Sequence, residues 1–394
     1  MNYHLMVDDK FINDFITDAE NAAPGKNVYL IDNRAHKSRF VKSELVTFVP
    51  FHTPAFKAIL QKIDANDKVF VHWASEQAVQ AVLSLPEDVT TGMFFWGGDV
   101  VEIPYSRFKK SVYGPQSLRY FEQHEELPSV RWNPARPKRL LTTFAQRYLG
   151  YKAPEKAILR SRERFYKRLN FFLNWSYIDY QWLLKHYDTK AAYKYFYYNF
   201  NPKPGAEEQA IMAKREARPY TTILLGNSDT VTNNHLEALE ALSVYKDEPI
   251  KLMIPLSYGN VAYGDLVEKE AKRIFGEDKV MALRGYMERS EYYQLLGQVD
   301  VAVMYHYRTQ AAGNTLALLY RGKKVYVHSN STTFEFLKTN NITIFDSKDI
   351  AQTSFRDFIT PLSEDAIRHN ITVMDTLFDP EKKMKVLAEI LSER

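Results

Sequence analysis

Residues Val301 to Asn330 constrain the fold more than any other stretch, because they predict a complete strand, helix and strand in sequence order. The β-branched and aromatic run at 301–305 predicts a strand, and the Leu/Ala block at 314–321 predicts a short helix that ends at Gly322. A second strand is predicted at 325–327. Strands joined by such a helical crossover lie parallel, so the stretch predicts an α/β sheet.

The loop before this helix carries the components of an anion site. Its polar and small residues are Arg308, Gln310, Gly313, Asn314 and Thr315. If the helix begins at Asn314, its unpaired N–H groups and the positive end of its dipole would face a phosphate. The alternative is that Asn314 and Thr315 only cap a buried helix.

Strands and helices alternate through both halves of the chain, which predicts an α/β fold with two Rossmann-like, doubly wound domains facing one another across a cleft. A linker rich in proline at 201–219 suggests the division between them. We predict an N-terminal acceptor domain at 1–205, a C-terminal donor domain at 206–370 and a C-terminal helix at 371–394. Two neighbouring domains of this type are the GT-B architecture of glycosyltransferases that use nucleotide sugars.

Composition excludes several protein classes. The 394 residues are 45% hydrophobic and 25% charged, as in globular proteins, and they include no cysteine, which excludes disulfide scaffolds and thiolate zinc sites. The N-terminus has no secretory signal pattern, and no uninterrupted apolar run of about 18 residues occurs. We therefore expect a cytoplasmic protein without a membrane span.

The segment at 104–170 is far more basic than the rest of the chain. It holds sixteen Lys and Arg and five Glu, a net charge of +11, whereas the whole chain carries only +4. Interspersed aromatic residues favour a surface that binds anionic lipid headgroups, with Arg160, Arg164 and Arg168 facing the membrane. A solvated basic face and a nucleic-acid site are the alternatives; because no nucleic-acid recognition motif accompanies the charge, we expect no nucleic-acid partner.

Several motifs resemble one glycosyltransferase family. They are FFWGGD at 94–99, TILLGNS at 222–228 with Asn234-His235 after it, IPLSY at 254–258, RTQ at 308–310 and GNTL at 313–316. These motifs are similar to those of the TDP-N-acetylfucosamine:lipid II N-acetylfucosaminyltransferases, the 4-acetamido-4,6-dideoxygalactosyltransferases of enterobacterial common antigen assembly. The resemblance covers the C-terminal half nearly end to end; in the N-terminal half it covers 69–105 and the basic segment.

The resemblance implies transfer of a deoxy-acetamido sugar from a dTDP-sugar to a polyprenyl-diphosphate-linked saccharide, by an enzyme peripheral to the inner face of the cytoplasmic membrane. No two aspartates are separated by one residue, so the metal-binding DxD motif is absent and we expect neither a metal nor a cofactor. The expected donor and diphosphate contacts are Gly226, Asn227, Ser228, His235, Tyr258, Arg308, Gln310, Gly313, Asn314 and Thr315. His235 could instead be structural at a helix start, and Tyr258 could stack on a base, hydrogen-bond a sugar or simply pack.

The transfer also needs a base for the proton of the acceptor hydroxyl. Asp99, which follows two glycines at a strand end, is our first candidate, and His72 at the end of the neighbouring strand is the second. For Asp99 the alternative is a turn residue, and for His72 it is a core histidine.

Three other functions stay open. They are a GT-B transferase that uses a UDP- or GDP-sugar, such as a fucosyltransferase; a nucleotide-sugar 2-epimerase; and a catalytically silent binding protein.

Overall fold

The computed structural model describes residues 1–33, 38–101, 108–124, 153–199, 203–206, 209, 218–285 and 287–392 of the chain. Within them, the first half forms a parallel sheet in the spatial order β3-β2-β1-β4-β5-β6-β7. Its strands are β1 (Asn2–Met6), β2 (Asn27–Ile31), β3 (Val46–Phe48), β4 (Lys68–Val71), β5 (Thr90–Phe94), β6 (Phe171–Asn174) and β7 (Ala192–Tyr195).

Helices cover both faces of this first sheet, as a parallel sheet buried on both sides requires. They are α1 (Ile12–Ala22), α2 (Pro54–Leu60), α3 (Glu76–Ser84), α4 (Gly98–Val101), α5 (Lys109–Val112), α6 (Pro115–His124), α7 (Ala153–Arg168) and α8 (Tyr177–His186). The central strands are mostly buried: Leu5 pairs with Leu30 on one side and Val71 on the other, and all three side chains are inaccessible or nearly so.

The second half forms another parallel sheet, in the order β10-β9-β8-β11-β12-β13. Its strands are β8 (Thr221–Leu225), β9 (Ile250–Pro255), β10 (Val280–Leu283), β11 (Val301–Met304), β12 (Lys324–Val327) and β13 (Phe345–Asp346). Its helices are α9 (His235–Leu242), α10 (Val261–Phe275), α11 (Arg289–Gly297), α12 (Ala312–Tyr320), α13 (Thr332–Thr339), α14 (Phe355–Ile359), α15 (Glu364–Leu377) and α16 (Pro380–Ser392). The two parallel sheets confirm the predicted pair of Rossmann-like domains.

The predicted C-terminal helix at 371–394 is wrong in one respect, because α15 ends at Leu377 and Pro380 begins a separate helix, α16. Proline has no N–H group and cannot continue α15, but it fits the first turn of a new helix. α16 packs on α1 of the first domain. There the buried Lys383 ammonium lies 2.7 Å from the Asp18 carboxylate.

The domains also hold each other through α6. Its first turn points at α9 of the second domain, where Glu237 accepts hydrogen bonds from the N–H groups of Gln116 (2.7 Å) and Ser117 (2.8 Å) and from the Ser117 hydroxyl (2.6 Å). A carboxylate at a helix N-terminus satisfies the unpaired N–H groups and the dipole together. This contact lies beside the loops at the carboxyl ends of the second sheet.

Candidate functional site

The loops after β8 and β11 meet at the centre of the second sheet. The chain runs from β8 outward to β9 and β10 and then returns to the other side of β8 with β11, so the strand order reverses between β8 and β11. Open α/β sheets bind ligands at such a reversal, beyond the carboxyl ends of the strands. Apart from Tyr258, which follows β9, the residues predicted to bind the donor lie on these two loops or on the helices that follow them.

A network of neutral polar side chains joins the two loops. The Asn227 side-chain oxygen accepts from Gln310 Nε2 (3.1 Å) and lies 3.1 Å from His306 Nε2. The Gln310 side-chain oxygen in turn accepts from the Thr232 hydroxyl at 2.8 Å. Ser228, the next residue after Asn227, is buried, and its hydroxyl accepts from Asn233 Nδ2 at 3.1 Å. The structure therefore brings Asn227, Ser228 and Gln310 together as the sequence predicted.

Gly226 lets the first loop pass close over His235. Its φ is +69°, and an added Cβ would lie 2.6 Å from His235 Nε2 and 2.7 Å from the Asn233 side-chain oxygen. His235 is fully buried at the start of α9, and burial lowers its pKa to about 3, so the imidazole is neutral. Its ring lies beneath the loop and not at the surface of the cleft. This position fits the structural alternative for His235, in which the ring packs beneath Gly226.

The start of α12 corrects one prediction. The helix begins at Ala312, two residues before Asn314, and Ala311 precedes it with a φ of +56° and no side-chain cap. Asn314 instead donates from Nδ2 to the Tyr292 hydroxyl (3.0 Å), and Thr315 is buried. Neither side chain caps the helix, so the capping alternative is wrong. Gly313 and Asn314 lie within the first turn, whose N–H groups are those that an anion binds.

Arg308 stands beside this helix start and reaches toward the first domain. Its Nη1 donates to the Thr309 carbonyl at 2.8 Å, and Nη2 lies 3.5 Å from the Thr232 hydroxyl. Across the cleft, Gly97 approaches so closely that an added Cβ would lie 3.2 Å from the Thr309 carbonyl oxygen and 3.9 Å from Arg308 Nη1. The FFWGGD motif of the first domain therefore meets the RTQ motif of the second.

Tyr258 follows β9 and borders the loop that carries Asn227. It is 48% exposed, its hydroxyl accepts from Asn227 Nδ2 at 2.9 Å, and the Lys10 ammonium of the first domain lies 5.6 Å from its ring centroid. A half-exposed ring with a fixed hydroxyl can stack on a base or hydrogen-bond a sugar, so both ligand roles remain available.

Asp99 has the pKa of a base but is inaccessible. Its carboxyl group lies in the short helix α4 and is 0% exposed. Burial raises its pKa to about 7. The N–H group of Ala74, 3.5 Å away, and the positive charge of Arg162 both lower the pKa, but their effect is smaller than that of burial. Oδ1 has no hydrogen-bond partner among the described residues.

His72 has the surroundings of a core histidine. Its Nδ1 lies 2.6 Å from the Tyr198 hydroxyl, its Nε2 lies 3.1 Å from His4 Nδ1, and its ring stacks on Phe94 at 4.2 Å between centroids. Burial lowers its pKa well below the ordinary value. Both ring nitrogens lie within hydrogen-bonding distance of other side chains, as the core-histidine alternative requires.

The family is decided by the sequence of the second half. The family model described as 4-alpha-L-fucosyltransferase, glycosyl transferase group 56, matches residues 174–381, more than half of the chain. The chain belongs to this family. The match also includes residues 174–200, which precede the C-terminal motifs named above. It makes the protein a glycosyltransferase.

Solved structures of glycosyltransferases share the fold of this group 56 member. WaaG, a glycosyltransferase of lipopolysaccharide biosynthesis, superimposes over the full length of both chains with a TM-score of 0.61 at 12% identity. HepE from Anabaena, in complex with UDP and glucose, gives 0.61 at 11% identity over both full chains. Sucrose-phosphate synthase from Thermosynechococcus elongatus gives 0.63 at 10%, covering 99% of this chain and 97% of the other. The likeness confirms the GT-B fold.

Two carboxylates in the group 56 protein escaped the sequence analysis. Asp9 follows β1 at the carboxyl edge of the first sheet, is only partly buried and accepts from the Phe11 N–H at 3.1 Å; burial raises its pKa. The strand-end argument used for Asp99 would also have found it. Asp179, in α8, accepts from the Thr309 hydroxyl at 2.7 Å and from the Thr332 hydroxyl. It holds the RTQ loop against the first domain, a contact that no short motif indicates.

The basic segment is only partly described. Within α7, Arg160 and Arg164 are exposed, but the Arg168 guanidinium donates to the carbonyls of Pro86 (2.6 Å) and Val89 (2.9 Å). Arg162 is buried and donates to the Ala74 carbonyl. Arg168 is therefore bound to the segment just before β5, which argues against its predicted role facing a membrane. In the described part of the chain, no helix is long and apolar enough to span a membrane.

Proposed function

We propose that this glycosyltransferase moves a 4-acetamido-4,6-dideoxy sugar from a dTDP-sugar to a polyprenyl-diphosphate-linked saccharide. The observation that carries the proposal is the start of α12, where a helix N-terminus without a side-chain cap and Arg308 face the first domain at the reversal of strand order. The sugar and acceptor classes come from the motifs that surround this helix. Membership of the family favours transfer over epimerisation or silent binding.

The chemistry assigned to this site is stabilisation of the leaving diphosphate. Cleavage of the sugar–phosphate bond places negative charge on the diphosphate as the sugar gains oxocarbenium character. The first-turn N–H groups of α12 and the Arg308 guanidinium are fixed before the reaction, so they stabilise that charge without reorganising. Gly226 lets the backbone approach the nucleotide, and Tyr258 offers a face to its base.

Two carboxyl groups compete for the role of base. A pKa of about 7 suits Asp99 for proton transfer near neutral pH, whereas Asp9 is more accessible from the cleft. We place the role on Asp99, which is buried in this structure and must become accessible to the acceptor hydroxyl during the reaction. Asp99→Asn should therefore remove turnover while leaving donor affinity intact. Loss of turnover in Asp9→Asn alone would transfer the role to Asp9.

A membrane-bound acceptor is consistent with one face of α7. Lys156, Arg160 and Arg164 are exposed there at spacings of four residues, which places them on one side of the helix. We propose that this face docks reversibly on an anionic leaflet at the inner side of the cytoplasmic membrane, where each basic residue contributes roughly 1 kcal/mol.

The donor is tested by the thermal stability of the purified protein with dTDP, UDP, GDP, CMP and NAD. A ligand at 100 times its dissociation constant adds about 2.7 kcal/mol to the stability of the native state. We expect the largest shift with dTDP, and we expect Arg308→Ala to abolish it while Arg273→Ala, an exposed arginine on α10, keeps it.

Competing outcomes identify the alternatives. The family description names fucosyl transfer and HepE binds UDP, so a shift with GDP or UDP alone would keep the transferase and replace the donor. A shift with dTDP that persists in Arg308→Ala would remove Arg308 from the site. The absence of any shift would contradict the assignment of a nucleotide-sugar donor.

A further inference from the structure

Asp179 is a buried carboxylate of the first domain that holds two side chains of the second. It lies in the first turn of α8, is 3% exposed, and its Oδ1 accepts from the Thr309 hydroxyl (2.7 Å) and from the Thr332 hydroxyl. Thr309 belongs to the RTQ loop, and Thr332 begins α13. The two hydroxyls lie 2.6 Å from each other, so one carboxylate oxygen holds the loop and the helix at a single point.

The other oxygen of Asp179 is bound within the first domain. Oδ2 accepts from Asn174 Nδ2 at 2.7 Å, and the Asp179 N–H donates to the Ser176 hydroxyl at 3.3 Å, which caps α8. Asn174 ends β6, so this hydrogen bond joins the carboxylate to the first sheet. Because donors of the protein occupy both oxygens, Asp179 suits a fixed link between the domains and not the role of a base.

Aromatic packing holds the start of α8 in place. The Trp175 ring lies 4.6 Å from the Phe336 ring of α13 and 5.8 Å from the Phe378 ring, measured between centroids. The helices α8 and α13 also pack on one another. The first turn of α8 is therefore docked on the second domain, and Asp179 is held against Thr309.

The hydrogen bonds of Asp179 depend on both domains. A buried carboxylate is stable only when hydrogen bonds offset its lost hydration. Burial raises the pKa of Asp179, and the hydrogen bonds from the two threonines and Asn174 lower it. Because the two threonines belong to the second domain, the carboxylate stabilises this arrangement of loop and helix only while the domains are docked.

Thr309 connects this carboxylate to the proposed diphosphate site. Its hydroxyl is bound by Asp179, and its carbonyl accepts from Arg308 Nη1 at 2.8 Å. Gly97 covers the same carbonyl oxygen, which would lie 3.2 Å from an added Cβ. Since its side chain and its carbonyl are both held against the first domain, Thr309 fixes the position of the Arg308 guanidinium beside the start of α12.

We propose that Asp179 is a positioning residue for the donor diphosphate and acts through Thr309 on Arg308. The inference rests on the proposed donor site at the start of α12. It makes the affinity for the nucleotide depend on the first domain, although Arg308 and α12 both belong to the second. The planar fork of arginine binds phosphate oxygens in one orientation, so a displaced Thr309 weakens binding without unfolding the protein.

Calorimetric titration with dTDP compares two variants that lose matched hydrogen bonds. Thr309→Val and Thr332→Val each delete one hydroxyl that donates to Asp179, and each keeps a β-branched side chain. We expect similar losses of stability in urea unfolding, but we expect Thr309→Val alone to weaken dTDP binding, by about tenfold, the effect of one hydrogen bond to a charged group. Thr309→Ser restores the hydroxyl and should recover the native affinity.

The outcomes separate this inference from the donor site itself. Native affinity in Thr309→Val, beside weakened binding in Arg308→Ala, would overturn the positioning role and leave the donor site intact. Equal weakening in Thr309→Val and Thr332→Val would also overturn it, because a purely structural carboxylate would not distinguish its two partners. The absence of dTDP binding by the native protein would remove the donor site and this inference together.

A double-mutant cycle tests the route through Arg308. Arg308→Lys keeps a positive charge, and therefore a measurable affinity, but loses the planar fork. Adding Thr309→Val to Arg308→Lys should weaken dTDP binding no further, whereas additive losses would exclude the route through Arg308. Asp179→Ala, with its fold established by circular dichroism, should weaken dTDP binding at least as much as Thr309→Val. Native affinity in that variant would overturn the role of the carboxylate.

Discussion

At the scale of single residues, Gly226 carries two separate constraints. Its φ is +69°, and its Cα lies against His235. Gly226→Ala should therefore cost on the order of 3 kcal/mol, the sum of a left-handed backbone and a steric clash, and weaken dTDP binding. Urea unfolding measures the loss of stability.

Gly25 offers the matched control for this change. It has a φ of +65° with nothing within 4 Å of an added Cβ. Gly25→Ala should cost only the backbone contribution, about 1 to 2 kcal/mol. Equal losses in the two variants would mean that the contact with His235 does not constrain the loop.

Asp99 makes the stability depend on pH in a known direction. Burial raises its pKa from 3.8 to about 7, so between these values the folded protein binds a proton that the unfolded chain releases. This proton binding stabilises the folded state in full below about pH 4, and the stabilisation is lost as the pH rises through 7. Asp99→Asn lacks this titration, so its stability relative to the native protein should rise from pH 4 to pH 8 by on the order of 1 to 4 kcal/mol. Thermal unfolding across this range measures the difference, and a difference independent of pH would contradict the buried carboxyl group.

At the scale of elements, the strands were the most predictable part of the chain. The apolar runs predicted the bounds of β11 and β12 to within one residue, because a strand buried on both faces has a continuous apolar sequence. The start of α12 was not predictable. Ala311 occupies a left-handed conformation that sequence rules assign to glycine or asparagine, so nothing marked it as the helix boundary.

The candidate site was predictable only where the residues lie on strand-end loops. The side chains of Asn227, Gln310 and Arg308 come together because adjacent parallel strands end at one edge. The roles of His72 and Arg168 could not be read from the sequence, since each depends on distant partners: Tyr198 for the histidine and Pro86 for the arginine. Asp179 and Thr309 are 130 positions apart, so no local pattern joins them.

The exposed face of α7 gives the prediction at this scale. Replacing Lys156, Arg160 and Arg164 together by glutamine should reduce sedimentation with anionic liposomes, because roughly 3 kcal/mol of headgroup attraction is removed. Arg168→Gln is the internal control: its guanidinium is bound to the carbonyls of Pro86 and Val89, so this change should lower stability and leave sedimentation nearly unaltered. A triple variant that sediments like the native protein would contradict the membrane face.

At the scale of the whole molecule, Glu237 joins the domains through the first turn of α6. Glu237→Gln keeps the size of the side chain but removes its charge and leaves one acceptor for three donors. We expect a loss of about 1 to 2 kcal/mol in the free energy of unfolding, and faster amide exchange in Pro115–His124. Glu240→Gln is the control, because among the described residues the Glu240 carboxylate accepts from one donor, the Gln116 side chain, in an exposed hydrogen bond (2.5 Å). The same exchange rate in both variants would exclude Glu237 as the interdomain cap.

By chain order, α6 belongs to the first domain and α16 to the second. In the structure, however, α6 packs on the second domain and α16 packs on the first. The halves are interlocked as well as tethered. Proteolytic nicking of the connection between β7 and β8 should therefore yield two fragments that elute together and separate only in denaturant. Neither half is complete as an independently expressed fragment.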